Sequence, residues 1–376
     1  MVTERPRQSA IIRAGRTLAY ALFGYVAALG VQLAFLPPDW NGMGTIVPYF
    51  AMPILTILFG PFLLVPQDAW LGSGDWSWLL RMLPLYFVHL AYVWRLLARS
   101  GRRSVRIFEV GLVACWSALG VWSALPAVER HELRVDGAKL PGGAVRLAVV
   151  SDLHSCRYGK GQRGLVEMIE AQRPDLVLMV GDIFDDRLPD GPAVEFAAEM
   201  AKRRPCVYVT GNHEFWSDRV FGMIGAMKKA GVTVLRGGCR TYSVNGNEVD
   251  VCGVDDPTEM TEEDWTEMLE AAYGGSDPSH LRVLLTHRPE FPELYARFGY
   301  DLVLSGHAHG GQWRCPFSKR GVYSPDQYFL PEYVDGPYRL SNGSTMLVSR
   351  GLARESAPVP RYFNNPEVLV VDILRQ

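Results

Sequence analysis

Four short segments in the last two-thirds of this chain place metal-ligand residue types directly after apolar, strand-like runs. They read Asp152-Leu153-His154, Gly181-Asp182-Ile183-Phe184-Asp185, Gly211-Asn212-His213-Glu214 and Gly306-His307-Ala308-His309; a fifth piece, Leu284-Leu285-Thr286-His287, adds another histidine. This pattern constrains the fold strongly. A strand that ends in a turn bearing a polar side chain delivers it to the crevice outside the sheet, and several such strands deliver several side chains to one crevice. Taken singly, each piece has an ordinary reading, since Gly-Asp and Gly-Asn are common turns and Gly-His-x-His can be a surface loop. Turns do not explain all of them in series, each closing an apolar run. Asp, Asn and His are the oxygen and nitrogen donors that divalent cations take. The expectation is a sheet-borne centre for two cations, an arrangement suited to hydrolysis.

From Ala144 onward the chain alternates strand and helix patterns. Val145–Ser151, Asp175–Val180 and Cys206–Val209 read as strands. Gln162–Gln172, Pro192–Arg203 and Ser217–Ala230 read as helices, the second with proline in its first turn, the third with Ser217 as N-cap and Gly231 as stop. Short strands cluster at 232–254 around the turn Asn245-Gly246, and further strands are expected at 281–286, 301–305, 345–349 and 368–373. Such alternation, followed by runs of strands, means mixed sheets flanked by helices.

The N-terminal third differs. Residues 17–36 and 45–66 carry no charge, and each is about the length that crosses a hydrocarbon core. A shorter apolar stretch spans 82–94 and another spans 110–126, so a multi-span α-helical transmembrane region over 1–130 is expected, followed by a catalytic domain over 144–376. Trp40, Trp70, Trp76, Trp78 and Trp94 stand near the ends of these stretches, as interfacial aromatics do. Arg5, Arg7, Arg13 and Arg16 in the tail, and Arg99, Arg102, Arg103 and Arg106 before the last stretch, both favour the cytoplasm. An interfacial 82–94 segment would then put the catalytic domain outside, whereas four full crossings would leave it in the cytoplasm. Localisation to a plasma or bacterial inner membrane is expected, with the side open.

Charge divides the chain in the same way. Residues 1–106 hold ten Arg, no Lys and four acidic residues, and the remainder holds 28 basic and 36 acidic residues. An acidic catalytic region argues against nucleic-acid backbone binding, which relies on clustered Lys and Arg. The six cysteines show neither C-x-x-C nor regular spacing, so no zinc knuckle and no disulfide framework is indicated, a weak lean toward the cytoplasm. Cys156, close to His154, reads as a loop residue and not a ligand. Asp255-Asp256 reads as a turn before Pro257. No GxxxxGK[ST] loop occurs, so nothing points to nucleotide-driven work.

The ordered pieces resemble the calcineurin-like metallophosphoesterase superfamily, over roughly 144–375. Ser305–Gln312, Val348-Ser349-Arg350-Gly351, Pro360-Arg361 and Pro366-Glu367 are similar to its branch of transmembrane proteins with a C-terminal metallophosphoesterase domain. The resemblance implies an α/β fold, a two-sheet β sandwich flanked by helices, and two divalent ions (Mn, Fe or Zn). It implies that Asp152, His154 and His309 hold one cation, that Asn212, His287 and His307 hold the other, and that Asp182 bridges them. His213 then serves the phosphate, as a charge stabiliser or as the acid for the leaving group, with Asn212 also within reach of a phosphate oxygen. Asp185 and Glu214 are expected as outer acceptors for the ligand histidines or His213. Arg157 is a candidate phosphate contact.

The function expected is membrane-anchored hydrolysis of a phosphoester by a metal-bound hydroxide. The expected partners are membrane lipids and a lipid-linked substrate, with UDP-2,3-diacylglucosamine, cleaved by some members of the superfamily in lipid A biosynthesis, as a named candidate. One alternative is a broad phosphodiesterase or protein phosphatase merely tethered to the membrane. The other, of a different class, is a membrane sensor or transporter with a regulatory phosphoesterase domain. Filled ligand positions, and the absence of ionisable residues from the two long apolar stretches, weigh against the latter.

Overall fold

The structure, a computed structural model, describes residues 122–123, 125–314, 320–354, 361 and 363–376. The apolar stretches at 17–36, 45–66 and 82–94, and nearly all of 110–126, lie outside these residues. Among the described residues no helix is long and apolar enough to cross a membrane.

The strands are β1 (Ala127–Val135), β2 (Val145–Val150), β3 (Leu176–Val180), β4 (Cys206–Val209), β5 (Thr233–Val234), β6 (Gly238–Val244), β7 (Asn247–Gly253), β8 (Leu281–Leu285), β9 (Leu302–Ser305), β10 (Tyr323–Ser324), β11 (Tyr328–Phe329), β12 (Gly336–Arg339), β13 (Thr345–Val348) and β14 (Glu367–Arg375). The helices are α1 (Arg163–Glu170), α2 (Gly191–Ala201), α3 (Asn212–Trp216), α4 (Val220–Lys229), α5 (Glu262–Gly274) and α6 (Pro292–Tyr295). Two six-stranded sheets form, ordered β1-β14-β2-β3-β4-β5 and β12-β13-β9-β8-β7-β6, beside a small β10-β11 hairpin. Both are mixed: β2 to β5 run parallel with β14 antiparallel to β2, and β7, β8, β9 and β13 run parallel with antiparallel β6 and β12 at the edges.

Strand periodicity explains how the layers stack, because successive side chains face opposite ways. In β2, Val145, Leu147 and Val149 join a core with Val249, Val251, Val283, Leu285 and Leu304 of the other sheet. Ala148 and Val150 face away and pack against Leu165 and Ile169 of α1 and Phe196 and Met200 of α2. The second sheet repeats this, with Leu284, Val303 and Met346 against Trp265, Leu269 and Tyr295 of α5 and α6. The result is two sheets face to face with helices on both outer sides. The central strands are therefore buried on both faces, which is why they read as continuous apolar runs.

The helices follow their stripes. In α2, Ala193, Phe196, Ala197 and Met200 are buried, and α4 buries Val220, Met223, Ile224 and Met227, both at the spacing of one helical face. The expected Ser217–Ala230 helix is instead two. Ser217 ends α3, and its hydroxyl accepts from Arg219 N–H (3.0 Å), so Ser217 turns the chain between helices and does not cap α4. Gly231 stops α4 with φ +90°. The helix α5, unmarked in the sequence reading, starts at Thr261, whose side chain accepts from Asp264 N–H.

Two expectations are corrected. The α/β unit begins upstream of Ala144 and within the 1–130 region: β1 lies parallel to β14 over nine residue pairs, from Ala127 with Glu367 to Val135 with Arg375. Its charged run Glu129–Glu132 suits an edge strand, and the same charges hid its strand character. Second, Cys239 and Cys252 form a disulfide. They are paired residues of the β6-β7 hairpin. Each stands six residues from the Asn245-Gly246 turn, so hairpin symmetry carried the signal that cysteine spacing alone did not. Cys156 is buried in the core between the first sheet and its helices, and Cys115 and Cys315 lie outside the described residues.

Candidate metal centre

Each ligand-type residue follows the C-terminal end of a parallel strand. Asp152 and His154 follow β2, Asp182 follows β3, Asn212 and His213 begin α3 after β4, His287 follows β8, and His307 and His309 follow β9. The two sheets thus contribute to one place at their carboxyl ends, as open α/β sheets do. The turns are tight. Asp152, His154, Asp182, His307 and His309 all have φ between +46° and +66°. Non-glycine residues hold this left-handed region only where their surroundings over-determine it, and such residues concentrate at functional sites. Gly181 is also left-handed, and a Cβ there would stand 2.4 Å from His287 Nδ1, so only glycine lets β3 close on that ring.

Among the groups of side chains with ligand atoms within 4.8 Å of one another are Asp152, His154 and His309; His154, Asp182 and His213; and Asp182, His287 and His307. Asp182 belongs to the last two. Its Oδ2 lies 3.6 Å from His154 Nε2 and 3.1 Å from His287 Nε2, while its Oδ1 accepts from His213 N–H at 2.9 Å. Four of these atoms, His154 Nε2, Asp182 Oδ2, Asn212 Oδ1 and His287 Nε2, are buried without a hydrogen-bond partner. Burying one such atom unpaired costs about 1–3 kcal/mol, so convergent orphans from four motif pieces need a shared partner. Cations satisfy oxygen and nitrogen donors together, and the residues fit a pair of divalent ions.

The outer contacts orient the rings. His154 Nδ1 faces Asp185 Oδ2 at 3.2 Å, and His287 Nδ1 faces Val180 carbonyl oxygen at 2.9 Å. Both fix which nitrogen turns inward. His307 turns Nε2 outward, to Asp326 Oδ2 at 2.9 Å and Arg288 Nη1 at 3.1 Å. Arg288 is held by buried Asp256 (Nε to Oδ2 2.7 Å), so the Asp255-Asp256 pair does more than turn the chain. Asp255 is itself buried between Thr210 Oγ1 (2.8 Å) and Arg236 Nε (2.6 Å). Buried Arg361 donates from Nη2 to His309 Nδ1 at 3.1 Å. A guanidinium only donates. His309 therefore accepts at Nδ1, and its Nε2 stands 3.6 Å from Asp152 Oδ1.

Glu214 departs from its expected place. It touches no histidine. Its carboxylate accepts from the backbone N–H groups of Asp182 (3.0 Å), Ile183 (2.9 Å), Phe184 (3.1 Å) and Gly211 (2.8 Å), tying the turn after β3 to the start of α3. Burial and the Asp182 charge push its pKa up to about 7, against the pull of those N–H donors. The residue that holds His213 is Asp186, whose Oδ1 lies 2.8 Å from His213 Nδ1, with Asp185 Oδ2 at 3.8 Å. Burial disfavours the His213 charge, but Asp182, Asp186 and Asp185 outweigh it and raise its pKa to about 9. Its ring stands edge-on to His154, centroids 4.3 Å apart, and 4.8 Å from Trp216. Arg157 pairs with Glu195 at 3.2 Å and is not among the residues gathered here. Asp186, Asp326, Arg288 and Arg361 were missing from the expected site. Asp186 had a local signal as the residue after Asp185 in the Gly-Asp-x-x-Asp piece, as did Arg288 after His287 and Arg361 in the Pro360-Arg361 piece.

A model of the calcineurin-like phosphoesterase family matches residues 145–311, a span that encloses every position from Asp152 to His309. The uncharacterized protein YpbG of Bacillus subtilis is 30% identical over 196 residues, covering 52% of this chain and 71% of that protein. The uncharacterized metallophosphoesterase YkuE of the same organism is 27% identical over 256 residues, covering 65% of this chain and 84% of that protein. The transmembrane protein with metallophosphoesterase domain of Bos taurus is 27% identical over 259 residues, covering 65% of this chain and 56% of that protein. With strand ends from two sheets gathering residues that could hold metal ions, and with these matches across the same span, the chain belongs to the calcineurin-like metallophosphoesterase family and is a metal-dependent phosphoesterase.

Proposed function

We propose that residues 144–376, extended upstream through β1, form a two-metal phosphoester hydrolase anchored by transmembrane segments within 1–130. Its substrate is an amphiphilic phosphoester or phosphoanhydride at the membrane surface. Asp152, His154 and His309 hold one cation, Asn212, His287 and His307 hold the other, and Asp182 bridges them. The observation that carries this reading is Asp182 Oδ2: buried, without a hydrogen-bond partner, and within 3.6 Å of His154 Nε2 and 3.1 Å of His287 Nε2. One carboxylate oxygen facing the inward nitrogens of two different ligand groups is what a bridge requires.

A bound pair of divalent ions lowers the pKa of a shared water and neutralises phosphate oxygens. The chain's own residues do the rest. Asp186 engages His213 Nδ1, which leaves Nε2 to meet the phosphate or to give a proton to the leaving oxygen. His213 N–H fixes the Asp182 oxygen that is not the bridge. Glu214 and the left-handed turns hold the ligands before substrate arrives, so little reorganisation accompanies reaction.

The membrane half rests on the uncharged stretches at 17–36 and 45–66 and on the similarity to proteins named as transmembrane. The Cys239–Cys252 disulfide favours placing the catalytic unit on the oxidising side, against the lean toward the cytoplasm drawn from cysteine spacing. The test is turnover by the full-length, metal-reloaded protein on detergent-presented lipid phosphates, including UDP-2,3-diacylglucosamine, beside soluble chromogenic diesters. Preference for the lipid substrates is expected. Turnover confined to soluble diesters would favour a tethered broad phosphodiesterase, and full turnover after exhaustive chelation would sink the two-metal reading.

A further inference from the structure

Among the described residues, seven large apolar side chains are conspicuously exposed, at 49% to 73%. Six gather around the metal centre. Trp216 packs on His213 with ring centroids 4.8 Å apart. Tyr328, Phe329 and Leu330 follow Asp326, whose carboxylate lies 2.9 Å from His307 Nε2. At no more than about 3.6 Å per residue, the chain cannot carry Leu330 farther than roughly 15 Å from Asp326. Trp122 and Leu125 are tied by their carbonyl oxygens to Asn365 Nδ2 (2.6 and 3.0 Å), and the neighbouring Asn364 Nδ2 donates to His309 carbonyl oxygen at 2.7 Å. The seventh, Phe221, lies on α4, exposed, with the Arg236 guanidinium 5.5 Å from its ring.

The exposed groups at the centre are neighbours of these side chains, His213 of Trp216 and Asp326 of Tyr328. Of the groups contacting its histidines, the His213 side chain is 20% exposed and that of Asp326 is 51% exposed, whereas His154 and His287 are closed off. Topology brings the upstream chain to the same end. Ala127, the first residue of β1, pairs with Glu367, and β14 runs antiparallel to β2, so β1 starts where β2 delivers Asp152. The hairpin that carries the apolar tip is held in an uncommon shape, with Asp326, Tyr328 and Leu330 all at φ between +54° and +59°. A surface that exposes consecutive Tyr, Phe and Leu in that conformation, beside its catalytic mouth, is not explained by packing within the unit.

We propose that this rim seats on the surface of a lipid bilayer, with Trp122, Trp216 and Tyr328 at headgroup level and Phe329 and Leu330 below it. Trp and Tyr are the side chains that settle at the membrane–water interface, while Phe and Leu favour the hydrocarbon. The metal centre then faces the layer in which lipid phosphates lie. The proposal rests on the membrane-anchored reading above and adds the orientation of the catalytic unit to it.

The test uses the full-length chain in phosphatidylcholine vesicles, with Cys115 and Cys315 replaced by serine. An environment-sensitive fluorophore is placed at Leu330→Cys, at Phe329→Cys and, as a control, at Glu248→Cys. Glu248 lies at the amino end of β7, which runs parallel to β8, and so at the opposite end of the sheet from His287. Blue-shifted emission and quenching by lipids nitroxide-labelled on the acyl chain are expected at 329 and 330 and not at 248. Water-exposed, unquenched labels at 329 and 330 in vesicle-bound protein would overturn the proposal. Protein that fails to float with vesicles would overturn both it and the anchored reading. No substrate is present, so the outcome is separate from that of the phosphoesterase reading.

Discussion

The Asp186–His213 pair offers a sharp test of how the site divides its labour. His213 Nδ1 and Asp186 Oδ1 are 2.8 Å apart, and both side chains are about one-fifth exposed. Hydrogen bonds to charged groups contribute roughly 1.5–3 kcal/mol. At about 1.4 kcal/mol per tenfold, Asp186→Asn should lower kcat by roughly 10-fold to 150-fold if the contact acts mainly in the transition state. His213→Ala removes the group itself and should cost on the order of 10²–10⁴-fold, the usual scale for a positioned acid or base. Because Asp186 acts through His213, the double variant should be no slower than His213→Ala, a full departure from additivity. The assay is kcat for all four proteins on one substrate, with metal per chain measured alongside and expected unchanged. Additive losses would show that Asp186 works independently of the ring. Loss of metal in Asp186→Asn would show that the carboxylate belongs to the cation shell and that the assignment of His213 to the phosphate is mistaken.

Asp182→Asn should lower bound metal and turnover together, by elemental analysis beside kinetics; unchanged stoichiometry would argue against a bridge. Gly351→Ala puts a Cβ 2.5 Å from Asp152 Cβ at φ +69°, so metal affinity should fall even if folding survives, as a metal titration of thermal stability would reveal. Replacing Glu214 with leucine strands N–H groups of Asp182, Ile183, Phe184 and Gly211; at about 1–3 kcal/mol for each unsatisfied donor, denaturant melts should show severe destabilisation. Cys239→Ser with Cys252→Ser should lower stability by up to about 3 kcal/mol, the loop-entropy figure for a closure of this size, and reductant should reproduce the loss in the native chain.

Strand-end chemistry was legible because the parallel strands are buried on both faces and announce themselves as apolar runs. The residue after each run then faces the crevice. That reasoning reached Asp152, His154, Asp182, Asn212, His213, His287, His307 and His309, while the resemblance supplied their division between two cations. It did not reach residues that act across the fold. Asp326 meets His307 from a hairpin nineteen positions onward with no local pattern to mark it, and Arg361, noted only within the Pro360-Arg361 piece of the resemblance, meets His309 across fifty-two. Glu214, expected to accept from the ligand histidines or from His213, instead satisfies backbone donors, as a buried carboxylate at the start of a short helix does. β1 escaped because its edge position lets charged residues alternate with only a few apolar ones.

The centre also works as a fastener. Asp152, Asp182 and Asn212 leave strands of the first sheet, and His287, His307 and His309 leave strands of the second. On the proposed ligand assignment neither sheet holds a complete coordination shell, so cation uptake adds to the apolar contact that joins the sheets. At a free cation concentration a hundred times its dissociation constant, each site adds about 2.7 kcal/mol to the folded state. The chain crosses between the sheets twice, from β5 to β6 through Leu235-Arg236-Gly237 and from β13 back to β14. Chelation should therefore act as more than inactivation: it removes a clasp that adds to the apolar core joining the sheets, and thermal stability should fall with it.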